Sequence, residues 1–291
     1  MVGAGLMGAQ IGCEYALGGH DVTLVARDVG QLERRVTDAF KLVETYGIAG
    51  TDAVDAARQS IVFGGTLDDD VLVCDLAVES LPEDMELKTR LLRAVASASP
   101  DAILASNTSS IPISTLGEAV GVPERVLGTH YLNPPLLMPT VELISGRDTD
   151  PALASRLHAT LLALGKLPIV VRKDVPGFIW NRLQFALVRE CVWLVENGVA
   201  SAEDVDTVMR EGLARRWRHV GPMRAITLGG IDTWNRAGRN IVPELSAVSA
   251  LPDLAKVAVT GGSPEIDRAA RDDALARELR NAHSTGKRGT Q

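Results

Sequence analysis

The sequence predicts an α/β protein with a doubly wound, mostly parallel β-sheet, followed by an all-α C-terminal domain. A glycine-rich turn, G-x-G-x-x-G, spans residues 3–8 and opens a helical pattern. Strand-like segments then alternate with amphipathic segments up to residue 172, whereas only helical periodicity follows Gly177. Alternating strands and helices build a parallel sheet that is covered on both faces, and the glycine turn makes this domain Rossmann-type.

Length and composition predict two domains with a substantial core. The chain has 291 residues, of which 46% are hydrophobic. A chain of this size normally divides into domains of about 100–200 residues. We predict a nucleotide-binding domain over residues 1–173 and a helical domain for substrate binding and dimerisation over 174–262. A charged helix and a flexible tail are expected over 263–291.

Charge and cysteine content restrict the possible partners. The net charge of −7 disfavours nucleic acid, which attracts basic proteins, and favours a small molecule. Three widely separated cysteines predict neither a disulfide framework nor a metal site. No apolar run approaches the ~18 residues needed to span a bilayer, and no basic, then apolar leader opens the chain. We therefore expect a soluble, cytoplasmic protein without a membrane partner.

The glycine-rich turn is the candidate cofactor site. Its residues Gly3, Gly5, Leu6, Met7 and Gly8 lead into a helix that is followed by a second strand, DVTLVA. Glycines at these positions allow a tight turn and the close approach of a pyrophosphate, which the free N–H groups at the helix start can bind. The order of turn, helix and strand supports a nicotinamide dinucleotide as the cofactor.

Two features depart from the usual dinucleotide-binding pattern. Only Met1 and Val2 precede Gly3, so the first strand is missing or truncated; we expect either a chain that starts about one strand late or an impaired cofactor site. Ala26 occupies the place of the acidic residue that binds the adenosine ribose, and Arg27 and Asp28 follow it. Arg27 could accommodate the 2′-phosphate of NADP, whereas Asp28 could preserve the binding of NAD, which we favour.

His130 is the candidate proton carrier. It follows the strand RVLGT and precedes a turn at Pro134-Pro135. A histidine ionises near neutral pH and can accept a proton from an alcohol, although a lone histidine is more often structural. The apolar strand PTVELI carries Glu142, whose buried carboxylate needs a partner that a histidine N–H would supply.

The resemblance to a known family rests on several motifs together. The segments GAGLMG, SNTSS, GTHYLNPP, VEL and PGFIWNRL occur in this order. In this order and spacing they resemble the 3-hydroxyacyl-CoA dehydrogenase family over about residues 1–245. The resemblance implies that His130 is the catalytic base and Glu142 its orienting partner. It also implies that Ser109 and Asn181 position the reacting C3 oxygen.

The same resemblance assigns further residues to the cofactor. Glu83 and Lys88, which by spacing alone would be the solvated first turn of a helix, are implied to contact the nicotinamide nucleotide. Asn107, within a cluster of small polar residues that ends a strand, is assigned to the cofactor site with them. Hydride transfer between the substrate and NAD or NADP is the implied reaction.

The sequence gives less direct evidence about the substrate and the oligomeric state. A short L-3-hydroxyacyl-CoA, and hence a role in fatty acid metabolism, is the first expectation. The stretch from Asn181 to Met223 and the segment NPPLLMPTVEL are also similar to the gulonate 3-dehydrogenase and lambda-crystallin branch. That branch leaves open a free hydroxy acid, a carrier-bound acyl group or a non-catalytic role. A homodimer is expected because the helical domain carries Trp193, Trp217 and Trp234.

Overall fold

The computed structural model describes residues 1–3, 5–65, 72–258 and 264–284. These residues form two compact units. The first unit comprises Met1–Asn181 together with the chain from Pro264 onward, and the second comprises Arg182–Ser263. The predicted sequence of an α/β unit followed by a helical unit is confirmed.

The first unit alternates strands and helices. In chain order its elements are α1 (Leu6–Leu17), β1 (Val22–Val25), α2 (Val29–Thr45), α3 (Thr51–Gln59), β2 (Ile61–Gly64), β3 (Leu76–Glu79), α4 (Met85–Ala98), β4 (Ile103–Ser106), α5 (Ile113–Val120), β5 (Val126–Tyr131), β6 (Thr140–Ser145), α6 (Pro151–Ala163) and β7 (Leu167–Val171). Each strand-like segment of the sequence analysis forms one of these strands.

All the regular secondary structure in the described residues of the second unit is helical. The helix α7 (Trp180–Glu196) leads into it, and its further elements are α8 (Ala202–Thr207), a π-helical segment (Val208–Ala214), α9 (Arg215–Trp217), α10 (Pro222–Gly229), α11 (Ile231–Ile241) and short 3₁₀ turns at Val242–Glu244 and Leu254–Lys256. None of the helices within the described ranges has both the length and the apolar character needed to cross a membrane.

The sheet of the first unit is interrupted after its first two strands. The strands β1 and β2 pair in parallel, and β3, β4, β5, β6 and β7 form a five-stranded sheet in that order. Within the larger sheet only the pair β5–β6 is antiparallel. The carboxyl ends of β3, β4 and β5 therefore meet at one edge, and the turn after β5 brings β6 back alongside it.

The chain at Val2 lies where the first strand was expected. It forms isolated parallel bridges to Val25 and to Glu79. Its N–H donates to the Val78 carbonyl over 2.9 Å, and its own carbonyl accepts from the Ser80 N–H over 2.8 Å. A cavity of about 650 Å³ lies beside Met1, with Val22 and Ala77 among its lining residues. Val2 thus lies between β1 and β3 and supports the turn at Gly3.

The core forms two layers, one on each face of the sheet. Because successive side chains of a strand point to opposite faces, neighbouring residues enter different layers. Ala105 and Leu127 pack in the layer with α1, α2, α3 and α6, whereas Leu104 and Val126 pack in the layer with α4 and α5. The sheet is therefore covered on both faces, as the alternating pattern predicts.

The boundary of the first unit lies after Asn181, eight residues beyond the predicted end at Lys173. The physical reason is the packing of the segment that follows the Pro176-Gly177 turn. Phe178 is fully buried in a core layer of the first unit, and the next two N–H groups donate to Glu142. The start of α7 therefore belongs to the sheet domain.

The charged C-terminal segment forms α12 (Pro264–Ser284) and joins the first unit. The charged helix predicted at the start of residues 263–291 is therefore present, but its attachment to the first unit was not predicted. Ala276 is fully buried, and the Arg280 guanidinium donates to the Tyr46 carbonyl at the end of α2. Residues 285–291 of the predicted flexible tail lie outside the described residues.

Candidate active site

His130 and Glu142 face each other across the antiparallel strands β5 and β6. They are register partners, and His130 Nδ1 lies 2.7 Å from Glu142 Oε2. Both residues are at most 5% exposed. The other carboxylate oxygen of Glu142 accepts the N–H groups of Ile179 and Trp180 over 2.8 and 2.9 Å. Burial alone would raise the pKa of Glu142, but the hydrogen bonds from His130, Trp180 and Ile179 outweigh it and lower that pKa.

Phe178 completes the surroundings of the imidazole and was not singled out from the sequence. Its ring centroid lies 5.8 Å from that of His130, with the two planes tilted by 56°. Phe178 has a φ of +49°, an uncommon conformation for a residue with a large side chain. The available signal was its place in PGFIWNRL, directly after a Pro-Gly turn. The buried Phe178 ring therefore forms part of the apolar surroundings of the imidazole.

Ser109 and Asn181 lie on the open side of His130. Ser109 Oγ is 3.2 Å from His130 Nε2. The Asn181 amide donates to the backbone carbonyl of Ser109 over 3.1 Å, so it contacts the turn rather than the serine hydroxyl. The structure brings all four predicted catalytic residues together at one end of a cavity of about 1270 Å³; Ser109, His130 and Asn181 line it and Glu142 lies behind the histidine.

Glu83 lies at the same cavity but faces the chain after β4. Its Oε1 accepts hydrogen bonds from the Thr108 and Ser110 hydroxyls and from the N–H groups of Ser109, Ser110 and Ile111. Burial opposes ionisation of Glu83, but the bonds from Thr108 and Ser110 and the charge of Lys88 prevail and lower its pKa to about 2. The carboxylate is therefore ionised throughout the neutral range.

Lys88 does not reach the cavity, contrary to the role in cofactor contact that the resemblance implied. Its side chain is fully buried, and Nζ donates to both oxygens of Glu79, over 2.8 and 3.1 Å, and to the Leu81 carbonyl. Lys88 Nζ also lies 3.5 Å from Glu83 Oε2. The ion pair with Glu79 keeps the Lys88 ammonium group buried, so that Glu83 and not Lys88 lines the cavity. Glu79 was not identified from the sequence, although an acid that ends an apolar strand needs a partner.

Asn107 holds the ends of three strands together. Its Oδ1 accepts from the Tyr131 N–H over 2.9 Å, and its amide donates to Ser80 Oγ over 3.1 Å. Asn107, Tyr131 and Ser80 all line the cavity. Asn107 thus fixes the cavity wall as well as facing the predicted cofactor position.

The glycine turn fits a dinucleotide pyrophosphate. A Cβ on Gly3, which has a φ of +116°, would lie 2.3 Å from the Ser80 carbonyl oxygen, and one on Gly8 would lie 1.9 Å from the Gly3 oxygen. At Gly5 a Cβ would meet nothing within 4 Å, so the turn is open towards the cavity there. Because α1 begins at Leu6, its free N–H groups and positive dipole end face the position of the pyrophosphate. The residues present therefore fit the dinucleotide.

The opposite end of the cavity carries the residues that would meet the adenosine ribose. Ala26, Arg27 and Asp28 follow the end of β1 and line the cavity, as do Arg35 and Arg90. The Asp28 carboxylate caps α2 by accepting the Gln31 N–H over 2.8 Å, and this bond opposes the rearrangement that Asp28 would need to replace the missing acid. Among the described residues, no group of three or more potential ligands could hold a metal ion.

A buried ion pair supports the turn that follows His130. Lys166 contacts Glu14 of α1 and donates to the carbonyls of Pro135 and Met138 over 2.7 and 2.9 Å. Burial raises the pKa of Glu14 to about 7, although Lys166 opposes the shift. Gln10, one turn before Glu14, accepts the Leu136 N–H over 3.4 Å. The helix that begins at the glycine turn is thereby linked to the turn beyond the catalytic strand.

Comparison with known proteins gives matches along most of the chain. The sequence model for the "3-hydroxyacyl-CoA dehydrogenase, NAD binding domain" matches residues 1–175, and that for the "3-hydroxyacyl-CoA dehydrogenase, C-terminal domain" matches 177–262. The 5-formyl-3-hydroxy-2-methylpyridine 4-carboxylate 5-dehydrogenase of Mesorhizobium japonicum is 35% identical over 249 residues, which are 84% of this chain and 80% of that protein.

Two further similarities bear on the substrate. L-Carnitine dehydrogenase of a Pseudomonas species is 38% identical over 206 residues, which are 70% of this chain and 63% of the length of that enzyme. A crystal structure of 5-formyl-3-hydroxy-2-methylpyridine 4-carboxylic acid 5-dehydrogenase, described as an NAD⁺-dependent dismutase, superimposes with a TM-score of 0.84 at 30% identity. The match covers 96% of this chain and 97% of that one.

Proposed function

The chain belongs to the 3-hydroxyacyl-CoA dehydrogenase family of NAD-dependent oxidoreductases, and we propose that it interconverts a short L-3-hydroxyacyl-CoA and the corresponding 3-oxoacyl-CoA. The observation that carries this proposal is the position of His130. One ring nitrogen is held by a buried carboxylate, and the other faces Ser109 at the cavity. A proton acceptor in this position suits the oxidation of an alcohol.

The residues of this chain handle the proton. When bound, NAD supplies the acceptor for the hydride that leaves C3. His130 Nε2 takes the proton of the 3-hydroxyl and returns it in the reverse direction. Glu142 keeps Nδ1 protonated and stabilises the charge that develops on the imidazole. The hydroxyl of Ser109, next to Nε2, orients the reacting oxygen. Phe178 packs beside the imidazole as an apolar neighbour.

A free hydroxy acid is the second candidate substrate. Two of the similar proteins are named for compounds without CoA, a pyridine carboxylate and L-carnitine. The basic residues Arg215, Arg216 and Arg218 are exposed on the second unit and would suit either a CoA phosphate or a free carboxylate. The two candidates share the chemistry at His130. They differ in whether the carboxyl group of the substrate is free or joined to CoA as a thioester.

Cofactor reduction with matched substrates tests this proposal. Purified protein is given L-3-hydroxybutyryl-CoA, L-3-hydroxybutyrate or L-carnitine, each with NAD and with NADP, and formation of the reduced nicotinamide is followed by absorbance. We expect turnover with the CoA thioester and NAD. Turnover with a free acid alone would replace the first candidate by the second. Binding of NADH without turnover on any substrate would contradict both and favour a non-catalytic role.

We also propose that the helical unit forms a homodimer. Large apolar side chains on its described residues are more than half exposed, namely Leu183, Phe185, Val199, Val208, Met223, Leu228, Ile231, Ile241 and Val242. Such a concentration of exposed apolar residues is typical of an interface that a second subunit covers. Light scattering on the purified chain should give twice the mass of 31.0 kDa. A monomer at all concentrations would contradict the proposal.

A further inference from the structure

A single carboxylate oxygen of Glu83 accepts hydrogen bonds from one turn of the chain, residues 108–111. Its Oε1 lies 2.6 Å from Thr108 Oγ1, 2.8 Å from both the N and Oγ of Ser110, and 3.1 Å from the N of Ser109. The Ile111 N–H also points to this oxygen, over 3.3 Å. These donors come from residues at least 25 positions away, so the bonds join two separate segments. The charged acceptor therefore fixes the backbone course of residues 108–111.

The position of Glu83 is fixed in turn by a buried ion pair. Lys88 Nζ lies 3.5 Å from Glu83 Oε2 and is held on its other side by Glu79. The Glu79 carboxylate accepts the Ser106 hydroxyl over 2.6 Å and the Leu81 N–H. Because Glu79 ends β3 and Ser106 ends β4, the sheet itself sets the position of the ammonium group. The carboxylates of Glu79 and Glu83 and the ammonium of Lys88 together carry one net negative charge. The five hydrogen-bond donors of the turn stabilise that charge.

The turn held by Glu83 contains Ser109. Its hydroxyl lies 3.2 Å from His130 Nε2, and its carbonyl accepts the Asn181 amide. We propose that Glu83 is a positioning residue that sets the distance between the Ser109 hydroxyl and His130 Nε2, rather than primarily a cofactor ligand. This inference rests on the proposed function, because it assigns a task to Ser109 in that reaction. Lys88 and Glu79 hold Glu83 in place, so they are positioning residues that act through Glu83.

A double-mutant cycle separates positioning from direct contact with the cofactor. Glu83→Ala and Ser109→Ala are made singly and together, and kcat, KM and the dissociation constant of NADH are measured for each. We expect Glu83→Ala to lower kcat about 10- to 100-fold, because small displacements of a positioned group are costly. In the Ser109→Ala background the same change should alter kcat less than about twofold, since there is no hydroxyl left to position.

Controls guard against loss of the fold and general charge effects. Glu86→Ala removes an exposed acid from the first turn of α4 and should leave all constants unchanged. Glu83→Gln retains one acceptor oxygen for the turn and should recover part of kcat. If Glu83→Ala does not fold, Glu83→Gln is compared in the two backgrounds instead. The dissociation constant of NADH should stay within about threefold in every variant that folds.

Two results would overturn the inference. One is an equal loss of kcat in the wild-type and Ser109→Ala backgrounds; the other is weakened NADH binding with kcat intact. A readout without turnover keeps this inference separate from the proposed reaction. The chemical shifts of the His130 ring are measured by NMR in the NADH complex. Glu83→Ala should change them as Ser109→Ala does, and the double variant should show no further change. An additive shift would contradict the inference even if no substrate is found.

Discussion

Ser109 Oγ lies 3.2 Å from His130 Nε2, on the side of the imidazole that faces the cavity. With Glu142 at Nδ1, both ring nitrogens have a partner before any substrate is present. A substrate hydroxyl that binds at Nε2 must therefore share or displace the serine hydroxyl. In the proposed reaction, Ser109 would therefore be the residue against which the substrate oxygen is aligned.

Replacement of His130 tests the proton-transfer role directly. We expect His130→Ala to lower kcat about 10²- to 10⁴-fold, the range that general acid–base catalysis contributes. The dissociation constant of NADH should change little, because the glycine turn and the start of α1, rather than His130, would hold the pyrophosphate. Steady-state kinetics and a fluorescence titration with NADH measure the two quantities. Turnover within a few-fold of wild type would show that another residue carries the proton.

Replacement of Glu142 tests the orientation of the imidazole. In Glu142→Gln an amide replaces a carboxylate oxygen and cannot stabilise the imidazolium. We expect kcat to fall about 10- to 100-fold, as is typical when the partner of a functional histidine is removed. The matched control is Glu118→Gln, which changes an exposed acid paired with Arg147. If both variants keep full activity, Glu142 has only a structural role.

Cofactor preference should respond to the residue that ends β1. Ala26→Asp restores an acid that can accept the ribose hydroxyls of NAD and that repels the 2′-phosphate of NADP. We expect the ratio of kcat/KM for NAD over NADP to rise about tenfold or more. The Arg27→Ala variant should raise the same ratio by weakening NADP alone. An unchanged ratio in both variants would place the determinant elsewhere on the cavity wall.

The buried Glu14 should make stability depend on pH. Its pKa is raised from 4.5 to about 7 in the folded state, so the folded protein binds this proton more tightly than the unfolded chain. The resulting stabilisation is complete below about pH 4.5 and is lost as the pH rises through 7. It amounts to at most roughly 3 kcal/mol, from 1.36 kcal/mol per pKa unit.

Urea unfolding at several pH values measures this effect. Between pH 5 and 8, the free energy of unfolding of the wild type should fall relative to that of Glu14→Gln, because glutamine resembles the protonated acid at every pH. Glu118→Gln again serves as the exposed control and should follow the wild type. Parallel curves for the wild type and Glu14→Gln would mean that Glu14 ionises normally in the folded protein.

The main strands and helices could be predicted from sequence because their signals are local. Apolar strands such as AILASN and PTVELI are short and are separated by helical periodicity, so each could be located without knowledge of its neighbours. The pairing of His130 with Glu142 was also within reach. An acid in an apolar strand requires a partner, and few side chains can provide one. The glycine turn likewise identified the start of α1.

The remaining features depend on contacts between distant segments. Nothing local to ESLPEDMELK shows that Lys88 turns inward to Glu79 while Glu83 faces the turn at Ser109. The left-handed conformation of Phe178 and the attachment of α12 to the first unit are likewise set by packing. Charges near the start of a helix are normally solvated, so the local pattern favoured the wrong surroundings for Lys88. Tertiary contacts decided each of these cases.

The antiparallel pairing of β5 with β6 has a consequence for how such proteins can diverge. His130 and Glu142 meet because they are opposite each other in the ladder, not because of the length of chain between them. Insertions or deletions in the connecting loop can therefore leave the pair intact, and a search that requires a fixed His–Glu spacing would miss proteins with the same geometry. A deletion of one residue within β6 before Glu142 would be far more damaging, since a one-residue slip sends its side chain to the opposite face of the sheet.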